Sequence, residues 1–255
     1  MSSIQGVTSG VSVDYSQIAS GKRINSAADD ASGLAISEKL ETQSTGLDTG
    51  AANAQSGKDA LNISDGALGG INDSLQRIYE LSVKASNGLN SGSDLSAMQK
   101  EVDQLMKGIT ETASNTEYNT LKLVDGSMAD INLATNPDGT GQSIKMANAT
   151  LEALGIDGYD LTGSFDINRI TSAMDKVNAS RSDGGAASNA LDYAIDYNQY
   201  ASQNTTAAQS RIEDLDIPKA ISDQKKNEVI DEYQMMMQKQ KMDAEASSVT
   251  GLFKF

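Results

Sequence analysis

From Leu40 onward an apolar residue returns at every seventh position: Leu40, Leu47, Ala54, Leu61, Leu68 and Leu75. Towards the end of the run Ile71, Ile78 and Ala85 fill the alternate positions. A seven-residue repeat held this long leaves little choice of fold, because it draws one apolar stripe along a helix that only another helix can cover. Gly46, Gly50, Gly57, Gly66, Gly69 and Gly70 interrupt the same stretch. Each weakens an isolated helix by about 1 kcal/mol relative to Ala. The helix, expected from about Ala31 to Ala85, must therefore be held by its neighbours.

The rest of the chain supplies those neighbours. Asn87-Gly88-Leu89-Asn90-Ser91-Gly92 is a turn by composition. The 3-4 spacing of Leu95, Met98, Val102, Leu105 and Ile109 then predicts a second helix from about Asp94 to Ala113, folded back antiparallel on the first. Residues 116–165 change character. Ile131-Asn132-Leu133, the turn Asn136-Pro137-Asp138-Gly139 and Ser143-Ile144-Lys145-Met146 predict a small β-hairpin region, followed by a short helical piece near Leu151 to Leu154 and a turn at Asp157-Gly158.

A third long helix is expected from near Asp166 to at least Gln209, with Ile170, Val177, Leu191 and Ile212 on its seam. Ala173, Ser180, Ala187, Ala194, Ala201 and Ala208 form a second file of small residues that lets a neighbouring backbone come close. Gly184-Gly185 is the expected bend. Pro218 interrupts the pattern or opens a new helix in its first turn. Beyond it an amphipathic helix carries a Met-rich stripe, with Tyr233, Met236, Met237, Leu252 and Phe253 as the expected assembly seam. In sequence, a core-packing helix and an intermolecular one look the same.

Composition narrows the function. With 38% hydrophobic but only 4% aromatic residues, the chain suits narrow helix-to-helix seams better than a thick interior. The net charge of −15, with scattered Lys and Arg, argues against nucleic-acid binding. There is no Cys and no His, hence no disulfide, no thiol nucleophile, no His-based zinc site and no Ser-His-Asp catalysis. The carboxylate clusters Asp29/Asp30, Asp192/Asp196 and Glu213/Asp214/Asp216 lack calcium-loop spacing and read as solvated helix faces. No enzyme activity, cofactor or metal is expected.

No window reaches the ~18 apolar residues of a membrane span. Met1 to Ser20 has no basic region leading into an apolar core, so no Sec-type signal peptide is expected. Residues 1–25 are weakly patterned and are expected to order only against a partner.

Four strings also resemble a known family. Ile24-Asn25-Ser26-Ala27-Ala28-Asp29-Asp30-Ala31-Ser32-Gly33-Leu34-Ala35-Ile36-Ser37 reads physically as a helix entrance, with Ser26 able to cap and Asp29 and Asp30 at the positive end of the dipole. The string is similar to the signature that opens the core of bacterial flagellins. Leu75-Gln76-Arg77-Ile78-Tyr79-Glu80-Leu81-Ser82-Val83, Val177-Asn178-Ala179-Ser180-Arg181 and Ser210-Arg211-Ile212-Glu213-Asp214-Leu215-Asp216 match the same family in its order. Two departures lie at the ends: a leader of about twenty residues, shorter than in relatives, and a tail, Ser247 to Phe255, unlike the Leu-rich family ending.

The resemblance implies a mainly α fold, an elongated antiparallel helical bundle or coiled coil with a small β-hairpin region and its terminal helices paired at one end. It implies residues 1–25 as an N-terminal inner-tube segment, 26–210 as a rod-like helical core with the hairpin at about 116–165, and 211–255 as a C-terminal inner-tube helix. The implied function is a structural subunit of the extracellular flagellar filament, a helical homo-oligomer exported by the flagellar secretion system without a Sec signal, with an export chaperone as a further partner. Gln76, Arg77, Leu81 and Glu101 match positions at which the flagellin-sensing Toll-like receptor binds, a surface that overlaps filament contacts. A hook-associated junction protein, or a secreted receptor ligand that does not polymerise, are the alternatives.

Overall fold

The computed structural model describes the backbone over residues 15–252 and side chains over residues 15–244. Helices dominate, as the heptad pattern requires: α1 (15–20), α2 (Ala27–Ala85), α3 (Gly92–Asn115), a short α4 (Leu151–Leu154), α5 (Asn168–Glu213) and α6 (Ile217–Leu252). Two antiparallel hairpins interrupt them, β1 (Glu117–Tyr118) with β2 (Leu121–Lys122), and β3 (Asp130–Ala134) with β4 (Gly141–Lys145). The chain divides into two units, Met1–Thr42 with Asn204–Phe255, and Gln43–Gln203.

In the Gln43–Gln203 unit the seven-residue file is the core. Leu47, Ala54, Leu61, Leu68 and Leu75 are buried together with Ile71, Ile78, Leu81 and Ala85. From Ala54 on they share one cluster with Val102, Ile109 and Ala113 of α3 and Ile170, Ala173, Val177 and Leu191 of α5. The α2–α3 turn ends in a capping box, in which Ser91 Oγ accepts from Asp94 N while Asp94 accepts from Ser91 N, so two orphan amides are satisfied reciprocally. Helices α2 and α5 run antiparallel, as their cross-pairs require: Ser44 with Ser202, Lys58 with Asp192 and Asp65 with Arg181. α5 stays helical through Gly184-Gly185, so the bend expected there does not break it.

The β3–β4 hairpin explains part of the glycine pattern in α2. A Cβ at Gly46 would stand 2.8 Å from Pro137 Cβ, and one at Gly50 or Gly57 would overlap the Thr135 carbonyl or Leu133. These three glycines open a track on the helix into which the hairpin backbone settles. Asn53 and Asn198 fasten it by donating to Ala134 O at 2.9 Å and Thr135 O at 2.7 Å. At Gly66, Gly69 and Gly70 nothing lies within 4 Å, so there the glycines only soften the helix.

Two features were not read from the sequence. The β1–β2 hairpin turns on Asn119 and Thr120, both at positive φ, a conformation usually signalled by Gly. Tyr159 anchors the loop that leads to α5. It is buried, donates to Ser82 Oγ at 3.0 Å, meets Phe165 edge-on at 6.1 Å and lies under Arg169 at 5.8 Å.

Candidate functional site

The two outermost family-like strings meet within the Met1–Thr42 and Asn204–Phe255 unit. Two hydrogen bonds join the residues just before the first string to the backbone of the second: Arg23 N donates to Glu213 O at 2.6 Å and Leu215 N donates to Gly21 O at 3.0 Å, and together they pair Lys22 with Asp214 as an antiparallel bridge. The Arg23 guanidinium adds a bond to Ile212 O at 2.5 Å. At the centre sits Glu213, 6% exposed. Its carboxylate is ion-paired to Lys22, accepts from Ser37 Oγ and accepts from Gln209 Nε2 at 3.0 Å. The Lys22 ammonium first, and the Ser37 hydroxyl next, hold its pKa down to about 2 against the opposing effect of burial. Glu213 is therefore a buried clasp and not the solvated carboxylate its neighbours Asp214 and Asp216 suggested. The sequence reading missed Lys22, Arg23, Ser37 and Gln209; the only signal was a Lys-Arg pair directly before the first motif.

The helix entrance works differently from the expected Ser26 cap. Asp29 accepts from Asn25 N at 3.0 Å and Ser26 N at 2.9 Å, and these bonds lower its pKa. Asp30 leaves helical geometry (φ −162°, ψ 96°), and its carboxylate accepts from Gly33 N at 2.8 Å, so the long helix is capped by Asp30. A Cβ on Gly33 would overlap Asp30 and Ile24, which accounts for the glycine three positions after the cap. At the far side, Asp216 caps α6 by accepting from Lys219 N at 3.2 Å, with Pro218 in the first turn where its missing N–H has no helical partner to lose.

Helix α6 joins this unit at its start: Tyr15 donates to Glu228 at 3.0 Å. Between Val229 and Met242 its apolar residues are exposed. Val229, Ile230, Tyr233, Met235, Met236, Met237 and Met242 are all exposed. Of the expected seam, Tyr233, Met236 and Met237 are thus at the surface, while the side chain of Leu252 and all of Phe253 lie outside the described residues.

The receptor-like patch is only partly a surface. Arg77 bonds Glu101 at 2.7 Å and Glu80 at 2.8 Å, and Gln76 is exposed beside it. Leu81, however, is 3% exposed and belongs to the core. Its side chain packs in the cluster that α2, α3 and α5 share, beneath the surface that Gln76, Arg77 and Glu101 form.

Among the described residues no group of His, Cys, Asp or Glu is placed to hold a metal, and no helix is long and apolar enough to cross a membrane. Fold and site together define a class: helix-dominated proteins in which long antiparallel helices are braced by small hairpins and a terminal helix carries an unburied apolar face.

Comparison with known proteins resolves the class. Residues 1–129 match the bacterial flagellin N-terminal helical region and residues 167–246 the bacterial flagellin C-terminal helical region. The chain is 33% identical over 242 residues to a flagellar filament 33 kDa core protein of Treponema phagedenis, covering 86% of this chain and 84% of that one. It is also 33% identical over 229 residues to a flagellin of Halalkalibacterium halodurans, covering 87% and 84%. Among solved structures it resembles the Bacillus cereus flagellin crystal structure, with TM-score 0.51 and 26% identity over 58% of this chain and 88% of that one. A putative flagellar hook-associated protein from Vibrio parahaemolyticus shares the fold, with TM-score 0.61 and 16% identity over 73% and 100%. The chain belongs to the bacterial flagellin family.

Proposed function

We propose that this protein is a structural subunit of the bacterial flagellar filament, acting outside the cell and assembling into a helical homo-oligomer through its two ends, residues 1–25 and 211–255. The observation that carries the reading is the exposed apolar face of α6 made by Val229, Ile230, Tyr233, Met236 and Met237. Covering these five half-exposed side chains contributes roughly 5 kcal/mol per subunit, a gain that opposes the repulsion between copies of charge −15. Export as an unfolded chain through the flagellar secretion channel agrees with the absence of Cys. An export chaperone that covers the α6 face before secretion follows from the same logic. Gln76, Arg77 and Glu101 are the residues through which the flagellin-sensing Toll-like receptor would engage the chain, with Leu81 beneath them.

The test is seeded elongation watched by electron microscopy. Wild-type protein is expected to lengthen filament fragments, and Met236→Asp with Met237→Asp to stop doing so while remaining helical. Antibody against the protein should label the whole filament; label confined to the filament base would point to a junction protein. A wild-type protein that lengthens no seed under any condition overturns the reading.

A further inference from the structure

We propose that Asn87-Gly88, in the α2–α3 turn, is a self-modifying site: the Gly88 amide nitrogen attacks the Asn87 side chain, and the residue ends as aspartate or isoaspartate in a loosened turn. The reaction needs only water and a single chain, so it is independent of assembly.

Asn87 is the only asparagine in the sequence that is followed by Gly. With no side chain on residue 88, nothing hinders closure of the five-membered ring. Both residues are exposed, and a Cβ on Gly88 would meet nothing within 4 Å, so the turn leaves room for the ring. The Gly88 N–H has no hydrogen-bond partner among the described residues, which leaves its nitrogen free to lose the proton and attack. The Asn87 side-chain carbonyl is held in place, because its Oδ1 accepts from Leu89 N at 3.1 Å. That donor points at the oxygen on which negative charge gathers when the nitrogen adds to Cγ, the role an oxyanion hole plays.

Other loop asparagines lack one part or another. After Asn25, Asn90 and Asn148 the next amide is already bound: Ser26 N to Asp29 at 2.9 Å, Ser91 N to Asp94 at 2.9 Å, and Ala149 N to Val124 O at 2.9 Å. Asn136 precedes Pro137, which has no N–H to lose.

The atoms balance without an oxidant or a cofactor. The bond from Gly88 N to Asn87 Cγ forms, the Cγ–Nδ2 bond breaks, and ammonia leaves with the proton that the Gly88 nitrogen gave up through solvent. Water then opens the cyclic imide. Opening at Cγ gives aspartate. Opening at the main-chain carbonyl gives isoaspartate, in which the chain runs on through Cγ and the former Asn87 carbonyl becomes a free carboxylate. That carbonyl is what closes the turn, since Asn90 N donates to Asn87 O at 3.1 Å. In isoaspartate this acceptor leaves the main chain and the backbone gains a methylene. Both products also place a negative charge just beyond the last turn of α2, where the helix dipole opposes it. Lys84 and Asp94 line the same groove and offset each other, so the new charge is not neutralised.

Ageing the purified full chain in mildly alkaline buffer tests the site, read by mass spectrometry of the tryptic peptide from Ala85 to Lys100. Asn87 is expected to gain one mass unit about tenfold faster than Asn90 in the same peptide, with isoaspartate in excess of aspartate. Gly88→Ala keeps the fold, because its Cβ meets open space and its φ is not positive, and should slow the gain about tenfold. Protein converted at Asn87, separated by its extra charge on anion exchange, should show about tenfold faster hydrogen exchange at the Asn90 amide. An Asn87 that converts no faster than Asn90, or a Gly88→Ala chain that converts at the wild-type rate, overturns the site. Unchanged exchange at Asn90 overturns the loosening of the turn. Neither result touches the assembly reading, whose own test is seeded elongation.

Discussion

Replacing Glu213 by Gln keeps the shape of the clasp and removes its charge. In the native protein the carboxylate is ion-paired to Lys22, accepts from Ser37 and Gln209, and has its pKa depressed to about 2. Measured against an ordinary glutamate, that depression corresponds to about 3 kcal/mol by linkage. The Lys22 side chain is half-exposed, so screening reduces the working figure to about 1–2 kcal/mol. A carboxyl whose folded pKa is lowered contributes its stability above the unfolded value, near 4.5, and loses it as the pH falls towards about 2. The reporters are the amides of Arg23 and Leu215, which bridge the two strands of the clasp. Near neutral pH their hydrogen exchange should be about tenfold faster in Glu213→Gln than in the wild type. Once intrinsic exchange rates are corrected, the difference should shrink towards zero near pH 2, where the native carboxyl takes up its proton. A difference of equal size at both pH values, or none near neutrality, refutes the electrostatic account of the clasp.

Other substitutions separate packing from surface. Gly66→Ala and Gly69→Ala, which meet open space, should each raise stability to urea by about 1 kcal/mol, whereas Gly50→Ala, driven into the Thr135 carbonyl, should lower it. Leu81→Ala should cost about 2–5 kcal/mol in thermal unfolding, while Arg77→Ala should stay within about 1 kcal/mol of wild type. A receptor assay on Leu81→Ala therefore reports folding as much as contact. Tyr159→Phe removes the bond to Ser82 and should lower stability by about 1 kcal/mol, with faster exchange at Leu161, whose amide donates to Gln99 beside it.

The long helices, the α2–α3 turn, the β3–β4 hairpin and the small α4 were legible because each is written locally: apolar spacing for the helices, Asn-Pro-Asp-Gly for the hairpin, Pro218 for the start of α6. The candidate site was legible only in part. Tyr233, Met236 and Met237 stood out as a stripe, yet nothing in the sequence said whether that stripe faces in or out. Leu81 matched a contact motif, but its burial is decided by the helices that pack around that side of α2.

What the sequence determined alone is periodicity, the breaks in it, and the chemistry its composition forbids. What the tertiary structure decided is every property that depends on a partner distant along the chain. Glu213 is one acid among three until Lys22 and Ser37 surround it, and Gly50 and Gly66 are the same residue until a hairpin carbonyl arrives at one of them and water remains at the other. Heptads repeat along one dimension and can be counted there. Burial and charge pairing are set by three-dimensional proximity, which is why the clasp and the two kinds of glycine could be told apart only in the folded chain.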